Sequence, residues 1–356
     1  MREYIYSVPV QVIEIPDGVV LKRGCNELKI CGADAKEIVR TVLMTSQNGG
    51  ATTDEIASRL SKLAKPQVEK VIAHLLDRGF LVSGAFRGRS AAATESHLDI
   101  FFWHFDGVSA TMIERFKSTR ILIVGINYIS RQLIMSLLAC GQQNFQIIDD
   151  TRQRNLRFFD STGHLKTTEW GASSNRFIKW QEGCQLPEGD CLIATSDFGG
   201  QQSLLSWNRL CLQKKIKFMP ITLTNFTGLV GPLVIPGETA CYMCFLSRQR
   251  SHSTDDLTES LIDSVAFEGQ HIVGFHPSMA SILGDIAAFE LTRHYTQTLP
   301  GQSYGRILEV NLLAGGMTPR RVLKVPRCSD CSPFHQQSSL AVLNPGCAIN
   351  NTPSRV

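Results

Sequence analysis

The sequence predicts an α/β protein with a Rossmann-like doubly wound sheet and a structural zinc site, preceded by a small winged helix-turn-helix domain. Three observations support this fold class. Residues 1–85 combine β-rich stretches with three helical patterns. After residue 120, apolar runs that end in glycine or aspartate alternate with helical stretches, and two Cys-x-x-Cys pairs follow. We therefore expect a small first domain and a larger second one.

The composition is that of a soluble globular protein. The 356 residues allow two domains of roughly 100–200 residues each. A net charge of +4 is too small to indicate nucleic acid as the partner. The eleven cysteines, several of them in apolar runs, favour a reducing compartment. We find neither a signal peptide nor the ~20 apolar residues of a membrane span. We expect a cytoplasmic protein that binds neither nucleic acid nor a membrane.

Residues 1–85 form the first predicted domain. Its β-rich start, residues 4–14, is followed by a helical pattern at 34–44. A second helix begins after Thr52 with N-cap chemistry, and a third begins at Lys65. Residues 80–82 then form a wing-like strand. Strands, three helices and a wing together predict a winged helix-turn-helix.

Such a domain has two common uses, which the sequence leaves open. The first is DNA binding through the third helix. The exposed positions of that helix are mixed in charge and form no basic stripe: Lys65, Gln67, Glu69, Lys70, His74, Asp77 and Arg78. The second use is peptide binding, in which an extended segment adds to the sheet edge. The pattern Thr-x-x-Glu-Ile-Ala-x-x-Leu, then Val-x-x-Val-Ile-x-x-Leu-x-x-x-Gly-Phe-Leu, resembles PqqD-like leader-peptide recognition domains. We favour the peptide-binding interpretation.

The second predicted domain spans residues 99–335, after a polar linker at 86–98, and a tail covers 336–356. Its start has the pattern of a nucleotide-binding unit. An apolar strand ends at Gly125, an apolar helix follows, and a second strand ends at Asp149, where an acid can hydrogen-bond a ribose. Asn127 and Ser130 replace the second and third glycines of Gly-x-Gly-x-x-Gly. We expect Asn127 to crowd or redirect a phosphate.

Two Cys-x-x-Cys pairs predict a closed tetrahedral zinc site with a structural role, formed by Cys241, Cys244, Cys328 and Cys331. The alternative is a set of unrelated buried thiols or a redox pair. Cys184 lies outside this set, and we expect it to be structural. Around residues 278–295 the pattern predicts an amphipathic helix with Asp285 and Glu290 on its polar face.

Three further segments complete the pattern of the second domain. A buried strand ends at Asp197, residues 217–221 form another strand, and the run Gly-Pro-Leu-Val-Ile-Pro-Gly-Glu-Thr-Ala-Cys-Tyr-x-Cys begins at Gly231. Over residues 100–335 the chain resembles the ThiF/MoeB superfamily of ubiquitin-activating-enzyme-like adenylyltransferases.

The resemblance implies a site for ATP and Mg²⁺, formed by residues that occur in the family's order. The implied nucleotide-binding residues are Gly125, Asn127, Asp149 and Asn155. The implied catalytic residues are Asp197, which helps to hold Mg²⁺, together with Lys166 and Arg157 at the phosphates. Each also has a simpler explanation, since acids commonly end strands and Lys and Arg commonly face solvent.

A winged helix ahead of a ThiF-like domain resembles the branch of the superfamily that matures ribosomally made peptides, including microcin C and pantocin A. The resemblance implies a homodimer that binds the leader of a precursor peptide on residues 1–85. It implies that the second domain adenylates a core carboxylate, that of a Glu side chain, for cyclisation. The alternative is a catalytically degenerate leader-binding partner of a separate azoline-forming cyclodehydratase. Activation of a sulfur carrier would leave the first domain unexplained.

Overall fold

The computed structural model describes residues 4–47, 49–60, 65–83, 98, 101–102, 110–171, 176–181, 184–252, 258, 261, 274–297 and 304–333. The chain divides into two compact units, Met1–Gly107 and Val108–Val356. The predicted linker, apart from residue 98, and the predicted tail lie outside the described residues. None of the described helices is long and apolar enough to cross a membrane.

Among residues 4–83, the described part of the N-terminal unit forms two small antiparallel sheets and three helices. Its described elements in chain order are β1 (Ile5–Ser7), β2 (Gln11–Ile15), β3 (Gly18–Arg23), β4 (Asn26–Cys31), α1 (Ala35–Gln47), α2 (Thr53–Arg59), α3 (Lys65–Asp77) and β5 (Leu81–Ser83). Strand β1 pairs with β5, and β3 lies between β2 and β4. The helices lie where the sequence predicts them.

Local chemistry explains these helices. The Thr52 hydroxyl accepts a hydrogen bond from the Glu55 backbone at 3.3 Å, and the Glu55 carboxylate accepts one from the Thr52 backbone at 2.7 Å. This capping box begins α2. Helix α3 buries Val68, Ile72 and Leu75 along one face. Its apolar spacing therefore forms part of the core of the unit.

One mixed sheet of eight strands organises the C-terminal unit. The strands are β6 (Ile121–Val124), β7 (Phe145–Asp149), β8 (Phe177–Lys179), β9 (Cys191–Ser196), β10 (Lys217–Thr224), β11 (Thr227–Val230), β12 (Arg306–Asn311) and β13 (Gly316–Arg321). Their order is β13-β12-β11-β10-β9-β6-β7-β8. The five strands from β10 to β8 are parallel, as predicted, and β11 to β13 extend the sheet antiparallel.

Helices cover both faces of this sheet. They are α4 (Ala110–Ser118), α5 (Tyr128–Ala139), α6 (Thr167–Trp170), α7 (Gln201–Lys214), α8 (Tyr242–Arg250) and α9 (Pro277–Thr296). Strand β6 is buried on both sides, with Ile121 and Ile123 in the core under α5 and α9 and Leu122 and Val124 in the core under α7 and α8. This double burial explains the continuous apolar run in its sequence.

Helices α5 and α9 approach closely because α9 has a glycine at the contact. A Cβ at Gly284 would lie 2.7 Å from the Ile129 carbonyl oxygen and 2.8 Å from the Leu133 nitrogen. Any side chain there would push the two helices apart. Since α5 begins at the glycine turn, α9 fixes the helix that carries the candidate site.

The polar-face interpretation of α9 is correct for one of its two acids. Asp285 is exposed and accepts a hydrogen bond from Gln132 at 3.0 Å. Glu290 is only 8% exposed and pairs with Arg293 and, at 3.1 Å, with Arg306. Glu290 therefore belongs to a buried ion-pair network, because its side of α9 faces the sheet rather than solvent.

Candidate active site and metal centre

Three predicted site residues follow neighbouring parallel strands. Gly125 follows β6, Asp149 ends β7 and Asp197 follows β9, so all three lie at the carboxyl edge of the sheet. Gly125 has a φ of +106°, and a Cβ there would lie 2.8 Å from the Thr195 carbonyl oxygen. Both the backbone angle and the close approach require glycine at this position.

Asn127 is the N-cap of α5 and is fully buried. Its Oδ1 accepts a hydrogen bond from the Ser130 backbone at 3.0 Å, and Ser130 Oγ accepts one from the Asn127 backbone at 3.1 Å. Its Nδ2 donates to Thr195 Oγ1 at 2.9 Å, to the Thr195 carbonyl at 3.0 Å and to the Gln153 carbonyl at 3.3 Å. The side chain thus joins the glycine turn to two neighbouring segments. Its own backbone is extended, so the turn needs no left-handed angle at Asn127.

Asp197 lies at the N-terminus of α5. Its Oδ2 accepts hydrogen bonds from the Tyr128 backbone and from Asn155 Nδ2, both at 2.9 Å. Its Oδ1 is buried and has no hydrogen-bond partner among the described residues. Burial raises the pKa of Asp197 to about 6, against the two hydrogen bonds, which favour the charged form. A fully buried acid with one unpartnered oxygen is a suitable ligand for a hard cation.

Asn155, Arg157 and Lys166 fall into two groups. Asn155 joins Asp197, and its Oδ1 accepts a hydrogen bond from the Arg157 backbone at 3.0 Å. The side chains of Arg157 and Lys166 both pair with Glu169, at 3.3 and 3.5 Å. Lys166 Nζ also donates to the Arg157 carbonyl at 3.2 Å. The two predicted cations, Arg157 and Lys166, are therefore held together by Glu169, which no sequence pattern indicated.

Asp149 is held by a cation that the sequence analysis also missed. Arg154 Nε and Nη2 donate to its two carboxylate oxygens, each at 2.7 Å. The Arg154 guanidinium lies 4.4 Å from the centre of the Phe159 ring. Both residues are largely buried, so this bidentate pair is fixed. A ribose that binds Asp149 must share the carboxylate with Arg154. The Arg-Gln-Arg run that begins two residues after Asp150 is the only hint of this pair in the sequence.

A cleft of about 380 Å³ opens beside these acids. Its walls include Asp149, Asp150, Arg152, Arg154, Lys179 and Trp180. Asp150 is paired with Arg152 at 3.0 Å and accepts a hydrogen bond from Trp207 Nε1 at 3.0 Å. An aromatic wall beside carboxylates and cations is suited to a nucleoside with charged substituents.

The four predicted zinc ligands come together as one cluster. Their sulfur atoms all lie within 4.8 Å of one another. The pairs Cys241–Cys244, Cys241–Cys328 and Cys244–Cys331 are separated by 3.8, 3.6 and 3.5 Å. Four thiolates around a tetrahedral zinc lie roughly 3.8 Å apart, so a metal of this kind fits the cluster. Hydrogen bonds from the thiols of Cys241 and Cys331 lower the pKa of Cys244, which favours a thiolate there.

Polar side chains from α7 hold both cysteine pairs. Asn208 accepts a hydrogen bond from the Tyr242 backbone at 3.0 Å and donates one to Asp330 at 3.0 Å. Arg209 Nε donates to the other oxygen of Asp330 at 3.0 Å. No sequence pattern indicated Asn208 or Arg209, although Asp330 lies inside the second Cys-x-x-Cys. Cys184 is exposed and is not part of the cluster.

No protein-family model matches this sequence, and no curated protein matches it. Solved structures do match. The heterocyclase TruD is 16% identical with a TM-score of 0.59, over 99% of this chain and 46% of TruD. The microcin C7 biosynthetic enzyme MccB, solved with N-formylated MccA, is 15% identical with a TM-score of 0.63, over 93% of this chain and 100% of MccB. E. coli MccB with AMPCPP and MccA is 15% identical with a TM-score of 0.62, over 92% of this chain and 99% of MccB.

The chain spans less than half the length of TruD and nearly all of MccB. At these identities the likeness establishes the fold. The fold of this chain is therefore one that the heterocyclase TruD and the microcin C7 biosynthetic enzyme MccB also have.

Proposed function

We propose that this chain carries out ATP-dependent maturation of a ribosomally made precursor peptide, in the manner implied by its resemblance to MccB and to the pantocin A maturation enzyme PaaA. The single observation that carries the proposal is Asp197, a fully buried acid with one unpartnered oxygen at the edge where β6, β7 and β9 end. The fold shared with MccB, which has been solved with ATP and with AMPCPP, supports nucleotide binding by this chain.

Each residue of the site has a role in this proposal. Asp149 and Trp180 would hold the nucleoside in the cleft, and Gly125 and Asn155 would face the phosphates. Asp197 would hold Mg²⁺, which would neutralise charge on the phosphates. Lys166 and Arg157 stabilise the negative charge that develops on the phosphates.

The proposed reaction is adenylation followed by cyclisation. An oxygen of a core carboxylate, that of a Glu side chain, attacks the α-phosphorus of ATP, and the bond from that phosphorus to the pyrophosphate oxygen breaks. The resulting acyl adenylate has AMP as a good leaving group. A nucleophile of the same peptide attacks the acyl carbon, loses its proton and releases AMP. No catalytic cysteine is needed for these steps.

Residues 1–85 bind the leader in this proposal, as a PqqD-like winged helix. Strand β2 is an edge strand of its sheet and exposes the apolar side chains of Val12 and Ile13. An extended leader can pair with such an edge and cover these side chains. Holding the leader there makes delivery of the core intramolecular. We further propose that the cysteine cluster holds structural zinc and that the chain acts as a cytoplasmic homodimer.

One observation favours the alternative, a leader-binding partner without catalysis. The first backbone N–H groups of α5 already have partners within the chain, since Tyr128 donates to Asp197 and Ser130 donates to Asn127. A phosphate that binds this helix end must displace them. Under the alternative, the chain presents the leader to a separate ATP-using cyclodehydratase.

Purified full-length protein with ATP, Mg²⁺ and candidate precursor peptides tests both functions. The enzyme releases AMP and changes the peptide mass, whereas Asp197→Asn releases little AMP and still binds the leader. Tight leader binding without nucleotide binding by the wild type would exclude adenylation and support the partner function. Sequence-specific DNA binding by the N-terminal unit would overturn both.

A further inference from the structure

Helix α7 connects two sites through three consecutive residues. Trp207 donates from Nε1 to Asp150 Oδ2 in the cleft, at 3.0 Å. Its neighbours Asn208 and Arg209 bind Asp330, the residue inside the second cysteine pair. Less than one helical turn therefore contacts both the wall of the cleft and the cysteine cluster.

Asn208 is central to this connection because both the oxygen and the nitrogen of its buried side-chain amide form hydrogen bonds. Its Oδ1 accepts the backbone N–H of Tyr242, the residue after Cys241, and its Nδ2 donates to Asp330. The Asp330 side chain is only 2% exposed. One amide thus ties the two cysteine pairs to each other and to α7, and rotating it would leave buried polar atoms unpaired.

Trp207, which connects α7 to the cleft, is also buried and closely packed. Trp207 is 1% exposed, and its ring centre lies 4.8 Å from that of Trp180. Trp180 forms a wall of the cleft, and its backbone N–H donates to the Asp149 carbonyl at 3.0 Å. A shift of α7 would therefore move both Asp150 and Trp180, since a close-packed interior transmits displacement.

We propose that Asn208 is a positioning residue that fixes the cleft wall, formed by Asp150 and Trp180, to the metal-loaded cysteine cluster. The cluster then has a second role besides stabilising the fold, because it sets the geometry of a site on another part of the sheet. This inference is independent of the proposed function, since it requires neither nucleotide nor peptide.

The Trp207 indole N–H gives a direct test. Its hydrogen-exchange rate is measured by NMR in zinc-loaded full-length protein with ¹⁵N-labelled tryptophan, and Trp207→Phe assigns the signal. We expect Asn208→Ala to exchange at least about tenfold faster than wild type while metal analysis still finds zinc bound, because the hydrogen bond to Asp150 opens more often. The Trp170 indole, in the core on the other face of the sheet, is the internal reference.

Arg248→Ala is the matched control. Arg248 lies on α8 and donates to the Leu323 carbonyl at 3.0 Å, so it holds the segment before the second cysteine pair without using α7. In Arg248→Ala we expect the Trp207 indole to exchange hydrogen at the same rate as in the wild type. An unchanged rate in Asn208→Ala, an equal increase in Arg248→Ala, or an equal increase at Trp170 would overturn the proposal. If Asn208→Ala fails to fold or to hold zinc, Asp330→Asn is measured in its place. An unchanged exchange rate of the Trp207 indole in Asp330→Asn would then overturn the proposal.

Discussion

Asn127 Nδ2 lies 2.9 Å from Thr195 Oγ1, and this contact joins the turn after β6 to the end of β9. In Gly-x-Gly-x-x-Gly turns the second glycine leaves room for a phosphate. Here an amide fills that position and bonds to the neighbouring strand. The edge of the sheet is therefore cross-linked where a nucleotide would otherwise approach the backbone most closely.

Replacing Asn127 by Ala should destabilise the C-terminal unit by about 2–3 kcal/mol, since both the helix cap and buried hydrogen bonds are lost. Ser130→Ala, which removes only the hydroxyl of the capping box, should cost about 1 kcal/mol. Urea unfolding measures both variants. Equal stability of Asn127→Ala and wild type would show that the cross-link contributes nothing.

Asp197 should make stability depend on pH. Its pKa in the folded chain is raised to about 6 by burial, above the ~3.9 of an Asp in the unfolded chain. The stability from this group is therefore fully present below pH ~4 and is lost as pH rises through 6. Relative to Asp197→Asn, which cannot ionise, wild type should lose about 3 kcal/mol between pH 4 and 7. Urea unfolding at the two pH values tests this, and a constant difference between the proteins would contradict it.

Arg154→Ala should leave the largely buried Asp149 carboxylate without its cation. We expect a loss of about 3 kcal/mol in the free energy of unfolding. Arg154→Lys is the matched control, because it keeps the charge but cannot form the bidentate pair, and it should lose less. A loss below about 0.5 kcal/mol for Arg154→Ala would mean that the pair is not formed in solution.

The cysteine cluster should bind one zinc per chain, measured by elemental analysis of the purified protein. Cys328→Ser should lose that metal and lower the melting temperature by about 10 °C, since metal binding contributes to folding free energy. Cys184→Ser removes an exposed thiol outside the cluster and should change neither quantity. Zinc retained at full stoichiometry in Cys328→Ser would contradict the tetrahedral assignment.

Sequence periodicity predicted four of the five parallel strands of the sheet. Strands β6, β7, β9 and β10 are apolar on both faces, and each follows or precedes a recognisable helix. Strands β8, β11, β12 and β13 were not predicted. Strand β11 has only four residues, and β13 contains glycine and proline and is exposed throughout, so neither shows a clear pattern.

The candidate site was predictable as a set of residues and not as a set of contacts. The spacing of the cysteines indicated their cluster, because two Cys-x-x-Cys turns have a single common geometry. The sequence showed that Asn127 replaces a glycine but not that its partner is Thr195, far along the chain. It likewise showed Asp149 and several nearby arginines. The short 3₁₀ turns Thr151–Gln153 and Leu156–Phe158 determine that Arg154 is the one that pairs with it.

The contact at Gly284 has a consequence for synthesis on the ribosome. The residues of the cleft and the glycine turn emerge long before Pro277–Thr296, the helix that packs against α5. Until that helix leaves the exit tunnel, the part of α5 that packs against α9 stays uncovered. During synthesis the contact between α5 and α9 therefore forms late, and, of the described elements, only β12, β13 and the second cysteine pair are added to the C-terminal unit after it.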